Sequence, residues 1–109
     1  MEFKNRKFKF MDSVYTIRFV DQCELFGGQD EGGFNFGIFD PKNKTITIST
    51  KNPDTGKPFP KDQVMQTLRH ELMHMVMFEG QYLDSYADEP LVEWLGKALG
   101  ILLKNKILE

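Results

Sequence analysis

At 109 residues, with 40% apolar and 28% charged, the chain has the size of one domain (1–109) and can bury a modest core. A net charge of −2 and a pI of about 5.7 give no case for nucleic acid or an anionic membrane as a partner. The single cysteine, Cys23, excludes an internal disulfide and suits a reducing compartment; neither a signal peptide nor a membrane-spanning apolar run is expected, so the expected location is the cytoplasm.

Residues 7–21 read as one or two strands, rich in β-branched and aromatic residues such as Val14, Tyr15, Ile17 and Phe19. The glycine-rich polar run 27–33 is a loop. A strand is expected over 34–39, then a turn at Asp40-Pro41-Lys42-Asn43, then a strand at Thr45–Ser49, the two forming a hairpin. Residues 52–60, rich in proline and glycine, should be loop. After Pro60 the apolar period becomes helical: Val64, Leu68, Leu72, Met75 and Val76 form a core-facing stripe, and Gly80 is the expected stop. Met65, Met73, Met75 and Met77 on this helix read as core. Residues 81–87 connect to a second helix with Asp88 as its N-cap and Pro90 in its first turn. Leu91, Val92, Leu95, Leu99, Leu102 and Leu103 make its apolar side, and Trp94 is expected in the core or over the site. The fold class is therefore α+β: a small antiparallel or mixed sheet packed against two main helices.

The first helix carries His70-Glu71-Leu72-Met73-His74, the pattern H-E-x-x-H, and holds the only 2 histidines of the chain. Residues four apart on a helix share a face, so both imidazoles can grip one metal ion while the glutamate reaches a water beside it. Random placement of these residue types would produce the pattern in about one sequence in a thousand. His70 and His74 sit off the apolar stripe, at the edge of a core.

A catalytic zinc needs a third protein ligand and one open position. Cys23 is one candidate; Asp84, Asp88, Glu89 and Glu93 are the acidic ones. Glu89 is favoured. With Glu93 it shares a face of the second helix, and that face continues into Gly96 and Gly100. Glycines there weaken the helix, which makes sense where another backbone must approach closely. Glu93, one turn further on, is placed to orient a ligand histidine through its other ring nitrogen. Glu79 points elsewhere.

His70-Glu71-Leu72-Met73-His74 followed by Glu89-Pro90-Leu91-Val92-Glu93 resembles the gluzincin branch of zinc metallopeptidases, and the size resembles minigluzincins and short HExxH proteins of phages and prophages. The strand Thr45–Ser49 looks like that family's edge strand, where a substrate backbone could pair. The metzincin pattern is absent, since its positions fall on Met77 and Gly80, and Cys23-Glu24-Leu25 lacks the glycine of peptide deformylases. The resemblance implies a zincin-like fold that hydrolyses peptide bonds of a peptide or protein substrate. Zinc would be held by His70, His74 and Glu89, with Glu93 behind them. A metal-activated water would attack, with Glu71 as its general base. Tyr82, Tyr86 or Arg69 would stand in for the oxyanion donor, or the metal would act alone. The alternative is a zinc-binding module of little catalytic power, structural or regulatory, or a latent enzyme whose tail (104–109) folds into the cleft.

Overall fold

The structure, a computed structural model, describes residues 3–21, 36–82 and 88–104, the side chains of 102 and 104 apart. Its elements in chain order are β1 (Arg6–Phe10), β2 (Ser13–Val20), β3 (Gly37–Asp40), β4 (Thr45–Ser49), α1 (Lys61–Glu79) and α2 (Glu89–Lys104). It is an α+β arrangement: one mixed four-stranded sheet of order β1-β2-β4-β3, with α1 on the sheet and α2 on α1.

The expected strand region 7–21 is a β-hairpin, Phe8 opposite Tyr15 and Phe10 opposite Ser13. Met11 turns the chain with φ 56°, the positive φ that two-residue hairpin loops need. Alternation then sorts β2: Tyr15 and Ile17 are buried while Val14 is exposed. The predicted hairpin of β3 and β4 is present, with Phe39 opposite Ile46. At its turn Asp40 accepts hydrogen bonds from the Lys42 and Asn43 backbone N–H groups and from the Asn43 side chain.

One expectation about the sheet fails. Thr45–Ser49 is not an edge strand: β4 pairs with β3 on one side and, in parallel, with β2 on the other. The edge beside the helices is β3. Interior placement also explains why Ile46, Ile48 and Ser49 are all buried.

The core is Tyr15, Ile17, Ile46, Ile48, Val64 and Met75, with Phe8, Phe39, Leu68 and Leu72 packed around it. Tyr15 is fully buried, stacks on Phe8, and its hydroxyl donates to the Glu79 carboxylate. Burial, then Glu79, pushes that hydroxyl well above its ordinary pKa. Met75 is in the core as expected, while Met65, Met73 and Met77 are half-buried.

Val76 departs from the stripe and is exposed. At about 100° per residue it stands about 120° round the helix from Val64. Glu71 lies about 20° from Val64 on the same wheel, and it is Glu71, with His74, that is buried.

α1 ends at Glu79 with Gly80 as its C-cap, the stop expected there, though the left-handed turn falls on the next residue. Gly80 keeps a right-handed helical φ of −79°, and Gln81 takes the left-handed one, φ 64°. The Gln81 N–H bonds to the Phe78 carbonyl and the Tyr82 N–H to the Met77 carbonyl, which is a Schellman cap with glutamine at the position glycine usually fills.

In α2 the Asp88 cap is as expected, its carboxylate accepting from the Leu91 N–H at 3.1 Å. Val92 is buried and Leu91, Leu95 and Leu99 are half-buried, but Leu103 is exposed. Trp94, expected in the core or over the site, is 62% exposed. It lies roughly half a turn round α2 from Val92, and among the described residues α2 packs only on α1, so none of them covers that outer face. Among the described residues no helix is long and apolar enough to cross a membrane.

Candidate metal centre

The site lies where α1 emerges from under the sheet and meets the first turns of α2. Helical spacing stacks His70 and His74, their rings 4.9 Å apart between centroids. One ligand atom each from His70, Glu71 and His74 lies within 4.8 Å of the other two, so the HExxH residues stand close enough to hold a metal ion.

Glu89 reaches the same point from α2. One of its oxygens is 3.0 Å from His70 Nε2 and the other 3.0 Å from His74 Nε2, while the two Nε2 atoms are 3.2 Å apart. Four donors at about 2.0–2.1 Å from a tetrahedral zinc stand about 3.3 Å from one another. The His70, His74 and Glu89 separations are of the size that a common cation would impose.

The protons point the same way. His70 Nδ1 is 2.8 Å from a Glu93 oxygen, and a carboxylate can only accept. With the ring proton of a neutral His70 on Nδ1, Nε2 presents a lone pair to the Glu89 carboxylate, 3.0 Å away, and to His74. Acceptors that converge in this way need a proton or a cation between them. Glu93 in turn lies 3.8 Å from Lys97.

No protein-family model, curated protein or solved structure matches the chain.

Close helix packing sets the geometry of the site. A Cβ added at Gly96 would stand 3.3 Å from both Cα and N of His70, so α2 rests on the backbone of the first motif histidine. At Gly100 the same construction meets the Arg69 guanidinium, 2.8 Å from Nε. Arg69 is turned away from Glu71 accordingly: it donates to Gln66 at 3.0 Å and lines a neighbouring cavity with Asp62 and Lys97. Tyr82 is 66% exposed and lies over Gly80. Neither Arg69 nor Tyr82 lines the cleft at the metal centre. Cys23, Asp84, Tyr86 and the tail segment 105–109 lie outside the described residues.

Glu71 is 8% exposed. Burial pushes its carboxyl up to about 7; the nearby Glu89 adds to this, while His70 and a hydrogen bond from the Phe39 backbone oppose it. A cleft of about 430 Å³ opens beside it, bounded by Phe36, Gly37, Gln63, Gln66 and Thr67 together with His70, Glu71, Glu89 and Glu93.

Gly37 and Phe36 were not singled out from the sequence. A Cβ at Gly37 would come within 2.8 Å of Thr67 Cγ2 and 3.0 Å of Glu71 Cγ. Only a glycine at the start of β3 lets this edge strand lie so close to the general-base candidate. A glycine inside a strand pattern is a cue to close approach, though not to what approaches.

Proposed function

We propose that the protein is a zinc-dependent peptidase, with His70, His74 and Glu89 holding the metal, Glu93 orienting His70, and Glu71 acting as general base. The observation that carries this reading is the convergence of three acceptor groups on one point, at separations a tetrahedral cation imposes, beside a buried carboxyl that faces a cleft.

When bound, zinc supplies a Lewis acid that polarises a carbonyl and makes nearby water more acidic. The protein's own groups do the rest. Glu71 takes a proton from water in the cleft and gives it to the leaving amine. Glu93 holds the Nδ1 proton of His70, which keeps Nε2 free to ligate. Among the described residues β3 is the sheet edge beside Glu71; it takes over the role expected of Thr45–Ser49 and offers backbone groups to an extended substrate.

Metal analysis of wild type, E71Q and E89A, joined to a peptide-library digest, tests this. Wild type and E71Q should each carry about one zinc per chain and E89A little, with cleavage by wild type alone. Full zinc occupancy in E89A, or parental turnover in E71Q, would refute the assignment. Collapse of the fold on chelation with no cleavage at any stage would make the site structural instead.

A further inference from the structure

We propose that a trough between β1 and the start of α1 docks an acidic, extended segment of a partner protein, which adds to the sheet as a strand beside β1. The trough shares no lining residue with the cleft at the metal centre, and the proposal does not depend on the peptidase reading.

The first observation is the position of β1. It is the outer strand opposite β3, so among the described residues one side of its backbone has no strand to pair with. α1 lies against β3 and β4, and α2 stacks on α1 and not on the sheet. No described helix therefore lies close over β1, and a trough of about 660 Å³ opens between them. Phe3, Ile17, Phe19, Met65 and Leu68 give it an apolar lining, with Phe3 stacked on Phe19 at 5.1 Å between ring centroids. The Asn5 side chain accepts from the Phe19 N–H at 2.7 Å and so fastens the lead-in of β1 along the trough.

The second observation is charge. Residues 3–10 carry Lys4, Arg6, Lys7 and Lys9 and no acid. Lys4 and Arg6 line the trough from one side and Lys61 from the other, with no acidic residue in the lining. All three are exposed, and among the described residues none of them is in an ion pair. Lys61 is the first residue of α1, where the helix dipole disfavours a cation. Its neighbour Asp62 lines the cavity beside Arg69 instead.

Lysines on an edge strand keep like edges apart. That argues against a second copy of β1 as the occupant, but it does not call for an apolar trough beside the edge. An acidic strand with an apolar anchor uses every feature: backbone pairing to β1, an apolar side chain in the trough, and carboxylates against Lys4, Arg6 and Lys61 on one face and Lys7 and Lys9 on the other. A nucleic acid fits less well, because the Phe3 and Phe19 rings stack on each other and not on a base.

The test is fluorescence anisotropy on the full chain carrying E71Q, so that no probe is cut. The probe is a glutamate peptide of about ten residues with adjacent leucines at its centre; neighbours in a strand face opposite ways, so one leucine always faces the trough. It should bind about thirtyfold tighter than the same peptide with lysine for glutamate, and about tenfold tighter than one with serine for leucine. N-methylation of alternate backbone nitrogens, in one of the two registers, should weaken it about tenfold. R6E and K61E should each weaken it about tenfold, and K97E, a reversal at an exposed site on α2, by less than about twofold. K61E also removes a cation from a helix start, so its melting temperature should hold or rise, which separates lost docking from lost folding.

A lysine peptide bound as well as the glutamate one, parental affinity in both R6E and K61E, or indifference to N-methylation in both registers overturns the proposal. So does a single-stranded oligonucleotide that binds tighter than the glutamate peptide and loses that affinity in R6E and K61E, which would make the surface one for nucleic acid.

Discussion

Replacing Glu71 by glutamine in protein stripped of metal should raise its stability above neutral pH by about 3 kcal/mol. The carboxyl of Glu71 moves from an ordinary 4.5 to about 7 in the folded chain, chiefly because it is buried. A value raised on folding means that the folded state holds the proton more tightly. The contribution is fully present below 4.5 and is lost as the pH rises towards about 7. At about 1.4 kcal/mol per tenfold, that interval amounts to about 3 kcal/mol, a large part of the roughly 5–15 kcal/mol that holds a domain together. Glutamine copies the shape of the protonated acid and does not titrate. Urea denaturation in excess chelator is the assay. The two proteins should have matching stability near pH 4, part between 4.5 and about 7, and differ by about 2–3 kcal/mol at pH 8, with E71Q the more stable. Adding zinc should close the gap, because a divalent charge beside Glu71 favours its carboxylate form. A constant separation from pH 4 to 8, or a wild type that is the more stable at pH 8, would refute the reasoning.

The two glycines of α2 should respond oppositely to alanine. G96A drives a Cβ to 3.3 Å from the His70 backbone, which cannot yield, so a loss of about 1–2 kcal/mol in urea melts and weaker zinc binding are expected despite the better helix propensity. G100A meets only the tip of the Arg69 side chain, which can swing aside, so stability should hold or rise by up to about 1 kcal/mol. Gln81→Gly should stabilise the protein by about 0.5–1 kcal/mol, since glycine adopts the φ of 64° without strain; a lower melting temperature would contradict the cap. E93A should weaken zinc binding by about 10–100-fold in a competition titration while leaving the three proposed ligands in place; unchanged affinity would show that His70 does not need its Nδ1 partner.

Much of the candidate site was legible in the chain because its parts are local. H-E-x-x-H stacks two imidazoles and a carboxyl through helical spacing alone, and Glu89, Glu93, Gly96 and Gly100 share one face of α2 by the same period. The strand at Thr45–Ser49, the helix after Pro60 and the Asp88 cap follow from equally short-range preferences. Backbone pairing between distant segments has no such period. The parallel alignment of β2 with β4 turned the expected edge strand into an interior one and left β3 at the rim.

The same long-range packing decided which faces were covered. Trp94 and Val76 are apolar but are left exposed by the described elements, whereas Glu71 is ionisable yet sits beneath β3. Residue type and spacing along the chain thus determined which chemical groups could meet. Only the tertiary structure decided how dry their surroundings are, and therefore that the Glu71 carboxyl holds its proton up to about 7, because burial is set by what packs from outside a helix and not by the helix itself.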